Sequence, residues 1–332
     1  MMDEIITLDY GSGGKKTSRL IENMILPALD NPALNELNDG AVLKGCGELV
    51  FSTDSFVVDP IFFPGGDIGK LSVCGTVNDV SMCGGVPKYL SCAFIIEEGF
   101  HVKDLERVIA SIHAQCERAG VNVVTGDTKV VEKGRGDKIY INTAGIGFLK
   151  YSGLSPKNIR SGDKVIVSGM VGDHGTAVML SRIGMEQDGI RSDCAALNGL
   201  CESVLSCGGV RVLRDPTRGG VATTLNEFVE GTSLGIELDE KLIPVRPEIQ
   251  AACDMLGLDA MYCANEGKLL AVVAPEAEER VLAAMRATEE GRNAVTIGEV
   301  SGRYAGKLVM NTAFGGRRIL QKLTGAQLPR IC

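Results

Sequence analysis

A thiol occupies the last position of the chain, Cys332, at the end of a stretch, Lys322–Cys332, with neither helical nor strand periodicity. Pro329 in that stretch lacks an amide N–H and restricts the residue before it, which disfavours regular structure. A terminal thiol of this kind is expected to pack poorly into a core, unlike the ordinary free cysteine that behaves as a small hydrophobe. No second cysteine stands near it to make a redox pair. The reading that remains is a carrier, loaded in one place and delivered to another. Ten extended residues reach at most roughly 33–36 Å, enough to serve two sites.

Acidic turns form the second group. Asn38-Asp39-Gly40, Thr53-Asp54-Ser55, Asn78-Asp79 and Gly126-Asp127-Thr128-Lys129 read as turns at strand or helix ends. Mg²⁺ takes hard oxygen ligands, commonly a few carboxylates plus phosphate oxygens. The four turns can therefore converge on a metal–triphosphate cluster, with Lys129 neutralising a phosphate. Asp and Asn also favour turns for local reasons alone, and spacing does not separate the two readings. Gly11-Ser12-Gly13-Gly14-Lys15-Lys16 can wrap phosphates through backbone N–H groups, but it does not satisfy the P-loop pattern and no strong strand precedes it.

Three further motifs sit before predicted elements. Arg214-Asp215-Pro216-Thr217-Arg218-Gly219-Gly220 leads into a helix. A glycine-rich helix start with an arginine attracts anions; a local ion pair of Asp215 fits equally well. Asn265-Glu266-Gly267-Lys268 precedes an apolar strand, and Glu266 is either a general base, a metal-side ligand or part of a solvated turn. Gly172-Asp173-His174-Gly175 holds one of the three histidines and reads as a capped helix start.

The elements that must position these residues alternate in type. Strands are predicted at 49–58, 89–97, 121–124 and 138–149, with helices at 68–83 and 104–118. The second helix is the clearest, since Leu105, Val108, Ile109, Ile112 and Cys116 recur on one face and Gly120 follows its end. An amphipathic stretch runs over 17–29. Ser152–Gly162 is the linker candidate. Beyond it, strands are predicted at 164–167, 235–238, 269–273, 295–300 and 307–310, and helices at 175–183, 195–206, 220–230 and 276–287.

With 332 residues, the chain exceeds the roughly 250–300 at which single cores stop growing, so two domains are expected. The net charge of −8 argues against a nucleic-acid partner. Eleven cysteines without any C-x-x-C pair exclude a zinc site of the usual spacing, and the chain is too long for a small disulfide scaffold. The start of the chain shows no signal peptide and no apolar run long enough to span a membrane, so a cytoplasmic location is expected.

Several stretches together carry a resemblance: Tyr10–Gly14, Phe51–Ser55, Gly75–Val80, Val124–Val130, Gly172–Gly175, Asp215–Gly220, Ala264–Lys268 and the ending Leu328-Pro329-Arg330-Ile331-Cys332. Along essentially the whole chain it resembles the HypE family of hydrogenase expression/formation proteins, in the ATP-binding superfamily of aminoimidazole ribonucleotide synthetase. The resemblance implies a two-domain α/β and α+β chain with a PurM-like (aminoimidazole ribonucleotide synthetase-like) fold. Its parts are an ATP-binding and dimerisation domain over 1–153, a C-terminal domain over 154–321 and a flexible tail over 322–332. In a homodimer, strands of both chains form a central barrel. The resemblance further implies ATP-dependent dehydration of a carbamoyl group on Cys332 to a thiocyanate. HypF loads the carbamoyl group, and the cyanide passes to iron on a HypC–HypD complex in nickel–iron hydrogenase maturation. Asp39, Asp54, Asp79 and Asp127 are then implied as Mg²⁺ ligands. Asn78, Gly126, Thr128, Asp215 and Arg218 join them at the nucleotide, with Lys129, Glu266 and Cys332 as the catalytic set. A sister enzyme, a selenophosphate synthetase or a purine-pathway synthetase, is one rival; the former is disfavoured because the first cysteine, Cys46, lies well past the glycine-rich loop. A non-catalytic scaffold anchored by Cys332 remains a rival.

Overall fold

The helix α2, Val102–Ala119, follows directly from its pattern: Leu105, Val108, Ile109, Ile112 and Cys116 are buried along one face. It ends at Gly120, whose left-handed backbone (φ 67°) lets its N–H bond back to Cys116 and Glu117. In the computed structural model, which describes residues 4–11, 15–35, 41, 43, 45, 47–323 and 330–332, α2 lies against α1, Ile68–Met82. Both helices back a four-stranded sheet. Its strands are β1 (Leu49–Phe56), β2 (Gly85–Glu97), β3 (Asn122–Val131) and β4 (Ile139–Leu149), in the order β1-β4-β2-β3. β2 and β3 run parallel; the other neighbours are antiparallel. The opposite face of this sheet carries exposed Leu49, Phe51 and Ile95 among the described residues.

The second half builds a seven-stranded sheet. In chain order the elements are β5 (Lys164–Val167), α3 (Asp173–Arg182), α4 (Asn198–Ser206), β6 (Val210–Arg214) and α5 (Gly220–Val229). There follow β7 (Gly235–Asp239), α6 (Pro247–Leu256), β8 (Leu270–Val273), α7 (Glu278–Arg286), β9 (Val295–Ser301), β10 (Leu308–Asn311) and β11 (Arg317–Leu320). The strand order is β11-β10-β7-β9-β5-β8-β6. Alternation divides its central strands between two cores. Val165, Val167, Leu270 and Val272 face one, while Ile166, Ala271 and Val273 face the other. No helix among the described residues is long and apolar enough to cross a membrane.

The three acidic motifs among the described residues do not lie in turns. Asp54 sits within β1, its neighbours Thr53 and Ser55 paired opposite Ala144 and Asn142. Asp79 lies in α1, and Asp127 in β3 opposite Ala93. The turn preference of Asp and Asn is overridden by sheet pairing and by a helix whose flanking residues are almost all buried. Asp39 and the glycine-rich run at 12–14 lie outside the described residues. The helix α6 and the strands β6 and β11 are additions to the predicted elements.

The two halves are stitched by buried polar bonds. Asn78 on α1 is fully buried; its amide donates to Ala195 O at 3.1 Å and accepts from Leu197 N at 2.7 Å. Read as a nucleotide contact, Asn78 instead has both ends of its amide engaged by the second half. Asn78→Ala should lower unfolding stability by about 1–3 kcal/mol, since it leaves the Leu197 N–H buried and unpaired. Urea unfolding followed by circular dichroism reads this directly, and an unchanged midpoint would contradict it.

Candidate functional site

Where the two halves meet, β1, α1, the loop before α5 and the segment before β8 enclose a cavity of 370 Å³. Asp54, Asp79, Asp215, Arg218, Glu266 and Cys332 all line it, and Arg214 stands beside them. Sequence motifs separated by nearly the whole chain thus share one site. The sequence had marked each of these positions except Arg214, which it named only within its motif.

Local geometry explains each placement. Asn265 is wholly buried and locks the segment before β8. Its Oδ1 accepts from Gly172 N at 2.7 Å, and its Nδ2 donates to Pro216 O at 3.2 Å and Cys263 O at 3.0 Å. Asp193 accepts from the backbone of Glu266 at 3.1 Å and of Gly267 at 3.2 Å, and pairs with Lys268 at 3.2 Å. A Cβ on Gly267 would fall 1.8 Å from Asp193 O, so glycine is required there. Glu266 is thereby fixed with its carboxyl in the cavity, 2% exposed, and its Oε1 has no hydrogen-bond partner.

The electrostatics are those of crowded, buried carboxylates. Burial, then the charges of Asp215, Asp193 and Asp54, hold Glu266 well above the ordinary carboxylate range. Burial and the Asp79 charge push Asp215 up to about 7. Asp54 and Asp79 are raised as well, chiefly by burial, although Ser52 Oγ donates to Asp79 at 2.7 Å and Ser55 N to Asp54 at 2.8 Å. Burial also pushes the Cys332 thiol far up, with the Glu266 charge adding to it.

The last three residues, 330–332, depart from the expectation of a loose carrier; residues 324–329 of the tail lie outside the described residues. Ile331 is 3% exposed and joins the core of the first half, against which Cys332 also packs. Val57 N donates to Cys332 O at 3.0 Å and Asp59 N to Arg330 O at 3.2 Å, an antiparallel strand-like pairing. His174 Nε2 meets Ile331 O at 2.8 Å, and Arg182 Nη2 donates to Arg330 O at 2.8 Å. Lack of periodicity in a short segment does not forbid docking, because extended backbone needs only a partner edge and a pocket for one side chain. His174 and Arg182 were not foreseen as tail contacts; the histidine in the glycine-rich motif was the available signal.

The remaining predicted residues lie elsewhere. Gly126, Asp127, Thr128 and Lys129 line a separate cavity of 310 Å³, where Lys129 Nζ donates to Asp127 at 2.6 Å. Within one chain they do not meet Asp54 and Asp79. Among the described residues, no group of His, Cys, Asp and Glu is arranged to hold a metal ion by itself.

Comparison with known proteins adds the family. Residues 37–149 match the AIR synthase related protein N-terminal domain, and residues 160–311 match its C-terminal domain. The chain is 50% identical over 333 residues to the carbamoyl dehydratase HypE of Rhizobium leguminosarum bv. viciae, covering 98% of this chain and 95% of that one. A crystal structure of the hydrogenase maturation protein HypE in complex with ATP superposes with a TM-score of 0.95 at 49% identity, covering 98% of this chain and 99% of that one. A HypE–HypF complex superposes with a TM-score of 0.80 at 47% identity, covering 92% and 99%.

A raised carboxyl pKa has a consequence for stability. The folded chain holds the Asp215 proton up to about 7, whereas an unfolded Asp releases it near 4. The folded state binds more protons across that window, so stability falls as pH rises through it. Asp215→Asn removes this cost. Its melting temperature should exceed that of the unmodified chain at about pH 8, with the gap closing by about pH 4. An Asn variant that melts lower at the higher pH would contradict the assignment.

Proposed function

Because the chain belongs to the AIR synthase related family and, within it, to the carbamoyl dehydratase HypE proteins, we propose that it uses ATP to dehydrate a carbamoyl group on Cys332 to a thiocyanate. The observation that carries this reading is the Cys332 thiol sharing one cavity with a buried, partnerless Glu266 and with Arg218. The thiocarbamate S–C(=O)–NH₂ does not lose water readily, because oxide is a poor leaving group. Transfer of the γ-phosphoryl group of ATP to the carbonyl oxygen, releasing ADP and one of the two N–H protons, makes an imidate-like phosphoester. Loss of phosphate with removal of the remaining N–H proton leaves S–C≡N.

The chain's residues divide this work. Arg214 and Arg218 offer charge to a phosphate beside the thiol. Glu266 in its ionised form takes the amide proton; the burial that raises its pKa makes that carboxylate a stronger base than an ordinary one, and its free oxygen is available in the cavity. The docked tail supplies positioning, which is the main protein contribution in phosphoryl transfer. Asp54 and Asp79 have the hard-oxygen chemistry of Mg²⁺ ligands, and a cation would relieve both the burial and the Asp79 charge that raise Asp54. Mg²⁺ would neutralise phosphate charge there. HypF is the proposed carbamoyl donor, and a HypC–HypD complex the proposed acceptor of the cyanide for iron.

Asp127 and Lys129 enter this reading through a homodimer. β1 and β3 are the two edges of the four-stranded sheet. A barrel closed by two such sheets brings β3 of one chain to β1 of the other, with Lys129 and Asp127 beside the opposite nucleotide site. The exposed Leu49, Phe51 and Ile95 are the surface such a barrel buries. Phe51→Glu should convert the dimer to monomer in sedimentation velocity at micromolar concentration; an unshifted dimer would contradict this interface.

The chemistry is checked by mass spectrometry of the C-terminal peptide after incubation with HypF, carbamoyl phosphate and Mg-ATP. The peptide should gain a carbamoyl group and then lose one water, the second step only with ATP. Cys332→Ala should do neither. Glu266→Gln should stop at the carbamoyl stage, with dehydration slowed at least about 100-fold. Normal thiocyanate formation by Glu266→Gln would remove it from the mechanism.

A further inference from the structure

The helix α3 holds the C-terminus in a way the chemistry alone does not require. Its first turn presents His174 and its last Arg182, and both bind consecutive carbonyls of the tail. A carbonyl oxygen only accepts, so His174 Nε2 carries the proton and donates to Ile331 O at 2.8 Å. Nδ1 then accepts from Ser192 Oγ at 2.8 Å, and the ring edge packs against Phe63 with centroids 5.5 Å apart. His174 is wholly buried, so its orientation is fixed from every side. Arg182 forks between two segments: Nε and Nη2 donate to Asp59 O at 2.8 and 2.7 Å, and Nη2 also reaches Arg330 O at 2.8 Å. It thus ties the tail to the strand-like partner Val57–Asp59 from the side.

The docked tail also carries costs. Arg330 adopts a left-handed backbone, φ 51°, which a side chain disfavours. Its Nη2 is buried without a partner, although Nε donates to Val57 O at 2.9 Å and Nη1 to Asp137 at 2.5 Å. Contacts along residues 330–332 that hold, and strain at Arg330 that loosens, describe a reversible latch.

We propose that α3 is a clamp for the chain's own C-terminus, with His174 and Arg182 as positioning residues that seat Cys332 at Glu266 and release it for loading. The idea rests on the reading that Cys332 is carbamoylated elsewhere and dehydrated here. Neither residue touches the reacting atoms; they act through the backbone of residues 330 and 331. Breaking the clamp favours the undocked tail, so dehydration slows while loading does not.

A readout independent of that chemistry exists. Burial raises the pKa of the docked Cys332 thiol and leaves the residue only partly exposed, so alkylation proceeds faster from the undocked state and its rate reports that population. Iodoacetamide labelling of the full-length protein, resolved by peptide mass spectrometry, follows Cys332 with exposed Cys83 as internal reference. His174→Ala should speed Cys332 labelling about tenfold and Arg182→Ala several-fold, with Cys83 unchanged. His174→Gln, whose amide N–H can replace Nε2–H, should stay near the unmodified rate. Unchanged Cys332 labelling in both Ala variants overturns the clamp; if His174→Ala fails to fold, Arg182→Ala decides alone. With HypF, carbamoyl phosphate and Mg-ATP, the Ala variants should load at least as fast as the unmodified chain yet dehydrate more slowly, and slower loading would count against the clamp. Faster labelling in a chain that never forms thiocyanate, unmodified protein included, leaves the clamp standing and removes the proposed function.

Discussion

A carboxyl group buried without a hydrogen-bond partner is costly to a fold, and this protein keeps one at the centre of its candidate site. Glu266 is held there by backbone bonds to Asp193 and by the locked amide of Asn265, not by any contact of its own carboxyl Oε1. Asp54 and Asp215 add like charge nearby. The surrounding architecture follows from that constraint. Two sheets with separate cores meet so that the carboxyls are shielded from water, and the raised pKa values follow from the shielding. Such clusters mark functional sites more often than structural ones, because a purely structural cluster would pair its charges.

The same constraint gives the docked C-terminus a role. Burying a neutral thiol, or the neutral thiocarbamate proposed for it, beside Glu266 costs far less than burying a charged ligand there. Ile331 fills an apolar position in the first core, while His174 satisfies the Ile331 carbonyl and Val57 N donates to Cys332 O. The tail therefore completes the cavity wall as well as presenting its thiol. Arg214 at the end of β6 and Arg218 in the loop before α5 bring positive charge to the same cavity as the buried Glu266.

How much of this was legible in the sequence depends on which force decided each element. α2 was readable because one apolar face and a C-terminal glycine set it locally. α1 was readable as a helix, yet the polar residues Asn78 and Asp79 near its end still looked like a turn, since their partners lie in the other half or in the cavity. Asp54 and Asp127 misled for the same reason, because strand pairing is a long-range fact. β6 and β11, five and four residues long, offer too little period to detect. α6 did carry its signals, with Pro247 at the first turn and Gly257 after the end. At the site, motif chemistry gave Cys332, Glu266, Asp215 and Arg218, but it could not tell that Asp127 and Lys129 face a different cavity, nor that an aperiodic tail would find an edge to pair with.

The central claim is that the carbonyl oxygen of the carbamoyl group leaves as phosphate, not as water. Loading Cys332 with a carbamoyl group whose oxygen is the heavy isotope, and then adding Mg-ATP, tests it in one turnover. The account predicts one heavy oxygen in each inorganic phosphate released, in step with thiocyanate formation. Unlabelled phosphate, with the heavy oxygen recovered in water, would contradict it.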